Sequence, residues 1–548
     1  MTSILGTALS GLAAFQRSLD TTSNNIANVD TEGYNRQRVE LTSRDSVSIG
    51  SGFIGQGVNV ANVSRIYDQF ISGQVRSSTT AFNQADAYQT LASQVDNVIG
   101  DPTTGLAPIL TAFFDSANKV ANNPASIPAR QVFLSNADSV SQQFNNVAHQ
   151  FDTLRSQTNA NLQVSVDDIN ADAKAIVELN KQIVIATGQA TGGQQPNDLL
   201  DKRDALLNKL AENIDISVVP QQNGAVSVFV GQGQTLVLGG SNQASTLSLA
   251  DSSTDPQHKE IQLNNQTITS QITGGKLGGN LSFRDNVLDP SQLQLGVLAT
   301  TFAETVNNQH ALGYDLSGIA GANLFSLGSQ PITVVQNPNL SGGGSISASL
   351  DSTNPQALQA SDYRLDYNGS SYSLTRLSDN QNIALPGFPG ASVSVDGFVL
   401  QQTTAPTGAS SFLIRPAFSG AQNISAALTD PTKVAAAGSS SSGPGDNVNA
   451  LSLAGLASAT VLNGSTTFAS GYGNLASNVG ALTNAATINR SAQNTLLTQT
   501  QQSQASISGV NLDEEAANLI KFQNAYQAAA QAISVSRSVF DTLIGAFR

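Results

Sequence analysis

LDEEAANLIKFQNAYQAAAQAISVSRSVFDTLIGAF, residues 512 to 547, repeats its large apolar side chains every seven positions. Leu512, Leu519, Tyr526, Ile533, Phe540 and Phe547 form one row. Phe522, Ala529 and Leu543 fill the companion positions, interrupted by Glu515 and Ser536. On a helix, a seven-residue apolar repeat makes a seam for a partner helix. Asn511 is placed to cap this helix, and Glu514 sits at the capping-box position. Asp513, Glu514 and Glu515 put negative charge at the positive end of the helix dipole.

The other end carries a matching pattern. Leu5, Leu12, Leu19 and Ile26 fall seven apart, with Ala8, Phe15, Thr22 and Val29 three residues behind them and Thr22 the polar lapse. Neither helix can bury its stripe alone. The pattern predicts that the two ends meet each other and then meet neighbouring copies.

Between the ends, residues 80 to 186 read as long helices, and Phe133, Ala137, Val140, Phe144, Val147, Phe151 and Leu154 make one continuous stripe. Gly188 and Gly192-Gly193 predict the stop, and Asp198 predicts the cap of a helix carrying Leu200, Leu207, Leu210 and Ile214. Residues 216 to 284 read mainly as β-hairpins, turning at Asn223-Gly224. A helix near 287 to 312 precedes a second β-rich stretch over 321 to 430. The Gly438-to-Gly445 run has linker composition. Helical spacing resumes with Phe468, Tyr472, Leu475, Val479, Leu482 and Ala486.

The fold class is therefore α+β and multidomain: a terminal coiled coil, a long-helix domain with β-hairpins, and an inserted all-β outer domain. The expected division is 1–40 with 505–548, 41–320 with 431–504, and 321–430. A length of 548 residues suits about three units of roughly 150 residues each.

Composition narrows the function. Only 12% of residues are charged and the net charge is -14, which disfavours phosphate backbones as partners. No Cys is present, so there is no disulfide framework. Met1 to Leu19 has neither a basic start nor an unbroken apolar run, and no run of about 18 apolar residues exists for a membrane span. If the protein leaves the cell, the expectation is that it does so without a cleaved leader.

Catalytic chemistry finds no footing. His149, His258 and His310 are isolated from one another, without ligand spacing. Gly50-Ser51-Gly52-Phe53-Ile54-Gly55 spells a dinucleotide fingerprint, but Val58, Val60 and Val63 behind it read as extended chain, so a loop between short strands is expected. Asp167-Asp168 and Glu514-Glu515 are adjacent on helices and point apart; solvated or capping roles suffice. No catalytic, cofactor-binding or metal residues are assigned, and no cofactor is expected.

Two motifs carry a family resemblance. Asn24-Asn25-Ile26-Ala27-Asn28-Val29-Asp30-Thr31-Glu32-Gly33-Tyr34 is similar to the N-terminal motif of flagellar rod, hook and hook-associated proteins. Ser508-Gly509-Val510-Asn511-Leu512-Asp513-Glu514-Glu515, with Leu519 to Gln527, resembles their C-terminal counterpart. Asn and Gly33 tolerate positive φ, so the first motif also reads as a helix breaking into a turn. Tyr34-Asn35-Arg36 and Gly509 to Glu515 lie nearer to a hook-associated member than to hook or rod proteins, and Leu199 to Leu207 and Gly274 to Gly279 with Phe283-Arg284-Asp285 resemble segments of that member.

The resemblance implies a non-enzymatic axial component at the hook–filament junction, exported by the flagellar type III route. Its implied partners are further copies of itself in a ring or helical array, the hook protein, hook-associated protein 3, and an export chaperone at the C-terminal helix. Leu5, Leu12, Phe15, Leu19, Ile26, Leu512, Leu519, Phe522, Tyr526, Ile533, Phe540, Leu543 and Phe547 are the expected assembly residues; Asn24, Asn25, Ile26, Ala27, Asn28, Gly33 and Tyr34 are the motif. Rival readings are another axial protein of hook or rod type, or a secreted adhesin or hydrolase acting through its β domain. An adhesin needs an exposed aromatic patch and a hydrolase needs clustered carboxylates, and neither is visible.

Overall fold

The computed structural model describes residues 2–546 apart from 49, 51, 102–104, 191–193, 254, 256 and 330. Its helices are α1 (Thr2–Ala27), α2 (Gln69–Ile99), α3 (Leu106–Asn122), α4 (Ile127–Gln189), α5 (Asn197–Asn213), α6 (Gly275–Phe283), α7 (Asp289–Ala311), α8 (Gly420–Asn423), α9 (Val448–Gly455), α10 (Phe468–Ser508) and α11 (Leu512–Ala546).

Short polar side chains start several of them. Asp68 accepts from the amides of Phe70 at 2.8 Å and Ile71 at 3.1 Å ahead of α2. Ser126 and Thr467 do the same for α4 and α10. Asp198 is no cap, because α5 begins at Asn197 behind Pro196 and places Asp198 in its first turn. Gly188 is the penultimate residue of α4, which ends at Gln189, so the helix stops where expected; Gly192-Gly193 fall outside the described residues.

The 63 residues of α4 span about 95 Å at 1.5 Å per residue, and the helix serves two cores in succession. Its first half gives Phe133, Val140, Phe144 and Phe151 to a core shared with α3, α7, α9 and the start of α10. Phe302 of α7 centres that core, with ring centroids 5.1 Å from Phe325 and 5.3 Å from Phe468. Its second half gives Leu162, Val166, Ile169 and Ile176 to a core shared with α5, α6 and two three-stranded antiparallel sheets. Those sheets join 216–220, 226–230 and 234–237, then 247–251, 259–263 and 266–267.

The hairpin expectation over 216 to 284 fails for its last stretch. Gly275–Phe283 is α6, followed by one π-helical turn at Arg284–Leu288. Glycine suits this helix because it lies flush on α2: a Cβ at Gly279 would come 2.5 Å from the Gln84 carbonyl oxygen. Close packing outweighs weak helix propensity there.

Residues 332–415 form an antiparallel sandwich. Strands 333–336, 410–415, 363–367, 372–376 and 381–383 make a five-stranded sheet in that order; 345–350, 398–404 and 393–395 make a second. Between them lie Ile332, Ile346, Tyr363, Leu365, Phe398, Leu400, Phe412 and Ile414. Leu324, Phe325, Leu327, Ala421, Ile424 and Leu428 instead pack into the Phe302 core. The 438–445 run closes on itself, with Asp446 accepting from the Gly438 amide at 2.8 Å.

Candidate assembly interface

Asn25 and Glu515 are 490 residues apart in sequence and in contact in space. The Asn25 amide donates to Glu515 Oε2 at 3.2 Å and to the Gln37 carbonyl at 2.9 Å, while its oxygen accepts from the Gln37 amide at 2.9 Å and from the Tyr34 hydroxyl at 2.8 Å. Arg36 donates through Nε to Glu515 Oε1 at 2.7 Å, and through Nη1 to Glu514. Its backbone amide donates to the Ser508 carbonyl at 2.9 Å. The two terminal motifs thus close into one polar junction.

A third segment joins them. Asp201 of α5 accepts from the Asn35 side chain at 2.7 Å and from Arg65 at 3.0 Å, and Asp204 accepts from Arg65 at 2.6 Å. Burial holds the Asp201 carboxyl above its usual range, an effect the bonds from Asn35 and Arg65 oppose. Burial first, then the charges of Asp201, Asp198 and Glu515, push the Tyr34 phenol far up, so it stays a neutral donor to Asn25. Gly33 makes the turn at φ 79°, where a Cβ would lie 3.0 Å from that of Ala205.

The capping and pairing expectations for the acidic start of α11 need revision. Asn511 does cap, accepting from the amides of Asp513 at 3.0 Å and Glu514 at 3.3 Å. Glu514 pairs with Arg36 instead of closing a box, yet its side chain is 60% exposed and stays solvated as expected; Glu515 also turns to Arg36, and its side chain is only 2% exposed.

From this junction α1 and α11 run side by side, antiparallel. On an equal rise, 23 residues carry Asn25 back to Thr2 and Glu515 forward to Ser538, so the last turns of α11 overhang α1. A ribbon of strands 37–43 and 58–65 flanks α1, Ser10 Oγ accepting from the Val58 amide at 3.1 Å. The most enclosed row of α1 is Ala14, Ser18, Thr21 and Asn25, one residue ahead of the apolar heptad. Leu12, Phe15, Leu19 and Ile26 are half-buried, as are Leu519, Phe522, Tyr526 and Ile533 opposite. Leu5, Leu512, Phe540 and Leu543 are exposed, with Ile4, Leu9, Val535, Val539 and Ile544. Phe547 lies outside the described residues. Of the motif, Asn25 is buried, Ile26, Asn28 and Tyr34 are half-buried, and Asn24, Ala27 and Gly33 are exposed.

Elsewhere, Gly50 and Gly52 lie in the turn of a hairpin between 47–48 and 53–54, with Ser51 outside the described residues. His149 is exposed on α4, and Asp167 accepts from Gln163 at 3.0 Å. His310 is fully buried: its Nδ1 lies 2.6 Å from the Ala322 carbonyl, its Nε2 accepts from the Ala435 amide at 2.8 Å, and burial lowers its pKa. Among the described residues no group of His, Cys, Asp and Glu is arranged to hold a metal ion, and no helix is long and apolar enough to cross a membrane.

Four family models match the chain. They are the flagellar hook-associated protein FlgK helical domain over 92–325, the flagellar hook-associated protein 1 D2-like domain over 335–416, the flagella basal body rod protein over 5–35, and the flagellar basal body rod FlgEFG protein C-terminal over 501–546. Flagellar hook-associated protein 1 of Escherichia coli K12 is 34% identical over 99% of this chain and 100% of its own. That of Bacillus subtilis 168 is 28% identical over 98% and 97%. The solved flagellar hook junction protein FlgK of Burkholderia pseudomallei superposes with a TM-score of 0.72 at 27% identity, over 80% of this chain and 100% of that one.

Proposed function

The chain belongs to the flagellar hook-associated protein 1 family, and from that premise we propose that it assembles the hook–filament junction by stacking copies through α1 and α11. It is a structural axial component of the bacterial flagellum. The observation that carries the assembly reading is the terminal pair itself. Asn25, Arg36 and Glu515 lock the two ends together, and Ile4, Leu5, Leu9, Val535, Val539, Phe540 and Ile544 remain exposed along them. Contiguous exposed apolar side chains of this kind mark interaction surfaces. Burying one Leu or Ile fully is worth about 1.5 to 3 kcal/mol, so several per subunit, repeated around a ring or helix, hold an array together.

The hook protein on one side and hook-associated protein 3 on the other are the proposed partners. An export chaperone covers the apolar rows of α11 before assembly, and the protein works outside the cell, without catalysis. A clean deletion is expected to leave hooks without filaments and flagellin in the medium, seen by electron microscopy of cells and by blotting the supernatant. Full-length filaments on the deletion strain would overturn the reading.

A further inference from the structure

The β sandwich meets the helical body at a buried ionic cluster that the assembly function does not use. Arg415, at the end of the last sandwich strand, donates through Nε to Asp362 at 3.0 Å and through Nη1 reaches Asp255 at 3.0 Å. Its guanidinium lies 3.4 Å from the centroid of the Phe418 ring. On the body side Arg155 of α4 pairs with Asp289 at 2.7 Å, and His258 Nε2 lies 2.8 Å from the same Asp289 and 3.8 Å from Asp255. Asp152, one turn before Arg155, accepts from Gln292 at 3.4 Å and from Gln422 at 3.2 Å, with His149 facing it from outside. Side-chain exposure is 6% for Arg155, 7% for Arg415, 9% for Asp255 and 15% for Asp362.

The charges do not balance. Two guanidiniums face three carboxylates, Asp255, Asp289 and Asp362, and Asp152 makes a fourth at the edge. The guanidiniums are outnumbered by carboxylates where water is scarce, which is unfavourable. Asp362 Oδ1 is buried and accepts no hydrogen bond among the described residues. A proton on Asp362 removes the excess.

The chain passes between body and sandwich at one pair of adjacent strands. The incoming and outgoing strands of the sandwich are ladder neighbours, Thr333 opposite Arg415, and Ser419 Oγ donates to the Pro331 carbonyl at 3.4 Å. A second set of contacts holds the 352–359 segment. Asn308 donates to the Ser352 carbonyl at 2.6 Å, Thr301 to Pro355 at 3.3 Å, and Gln359 to Asn463 at 3.3 Å. None of those groups titrates.

We propose that this joint is a proton-operated latch, holding the β sandwich against the helical body in acidic medium and loosening it as the medium approaches neutrality. The electrostatics agree in sign. Burial, with Asp255 and Asp289 nearby, pushes the Asp362 carboxyl from 3.8 up to about 6 against the pull of Arg415. A carboxyl raised in this way contributes docking stability that is fully present below about 4 and is lost as pH rises through about 6. Burial opposes ionisation of Asp289 too, but His258 and Arg155 overcome it and hold it at about 2, so it stays charged throughout.

The test uses the absence of native cysteine to place two labels, by Ser139→Cys on α4 and Ser349→Cys on the sandwich, both exposed. Distance distributions by fluorescence energy transfer are recorded between about pH 4 and about pH 8, which spans the window from the ordinary carboxylate range to past the raised Asp362 value. The expected result is one narrow distribution at the acid end that broadens as pH rises and changes no further once pH has passed about 6. Asp362→Asn, which removes the excess charge permanently, is expected to keep the narrow distribution at the alkaline end. The double variant Asp362→Asn with His258→Gln is expected to give a flat profile. A native distribution that does not change across the range overturns the proposal, and so does a change that survives intact in the double variant.

Discussion

A carboxylate that is 2% exposed must be compensated by charge and hydrogen bonds, and Glu515 has both, from Arg36 and from Asn25. Replacing Glu515 by Ala leaves Arg36 with Glu514 alone and Asn25 without an acceptor for one amide hydrogen. The expected local loss is about 3 kcal/mol, near the low end for a broken buried pair because Arg36 is partly exposed. Glu515→Gln keeps an acceptor and is expected to lose about 1 to 2 kcal/mol. Hydrogen exchange reads this directly: protection should fall over 20–40 and 508–520 and stay unchanged in α3 and α7. Equal protection in Glu515→Ala would mean the pair does not hold the ends. In the heptad pattern Glu515 is an exception, and a local pattern cannot show a partner 479 positions away. A polar residue at a seam position, with an unmatched Arg in the other terminal motif, was the available signal. The joint residues were less legible still, because Asp255, Asp289, Asp362, Arg155 and Arg415 come from five separate segments and share no spacing.

Helices α1 and α11 were legible because a repeat at seven survives any tertiary context, and their caps and turn follow from Asn511 and Gly33. What the repeat could not supply was the rotation of α1. Ala14, Ser18 and Thr21 are small, so α1 sinks furthest along that row and leaves its leucines straddling the contact. Helix α6 was illegible for a related reason: its glycines signal a turn by propensity, and only the nearby backbone of α2 makes them the residues that fit. Leu519 and Ile533 are half-buried on α11, which packs on α1, so Leu519→Asp with Ile533→Asp places two carboxylates on the apolar row of that pair. Each is expected to weaken the pair by about 2 kcal/mol, less than a fully buried charge would. The variant should keep both middle cores, judged by helical content and thermal unfolding, yet fail to restore filaments to a deletion strain. Secretion must be measured alongside, since a chaperone gripping the same face would lose its hold too. Filaments on a strain that secretes the variant normally would remove α11 from the assembly reading.

For the whole molecule the question is which parts can be removed without loss of assembly, and the sandwich is separable by construction. Its first and last strands are paired, Thr333 opposite Arg415, so the flanking residues Pro331 and Pro416 lie close enough for a short Gly-Ser bridge. Removing 332–415 takes away a complete core, Ile332 to Ile414, and cuts no strand of any other sheet. On the body it leaves Arg155 still paired with Asp289, and it opens Asp255, Asn308, Thr301 and Asn463 to water instead of burying them without partners. The wider cut of 321–430, which the strand patterning of the sequence marks as the outer domain, is different in kind. It also removes Leu324, Phe325, Ile424 and Leu428 from around Phe302, and each large side chain lost from a closed core costs about 2 to 5 kcal/mol. The narrow deletion is therefore expected to fold, be secreted and restore filaments and swimming to a deletion strain, whereas the wide one is expected to unfold the helical body. Circular dichroism and thermal unfolding of the two proteins, beside motility of the two complemented strains, separate the outcomes. If the narrow deletion is secreted and folded but swimming is lost, the sandwich takes part in the junction itself, and α1 and α11 do not suffice.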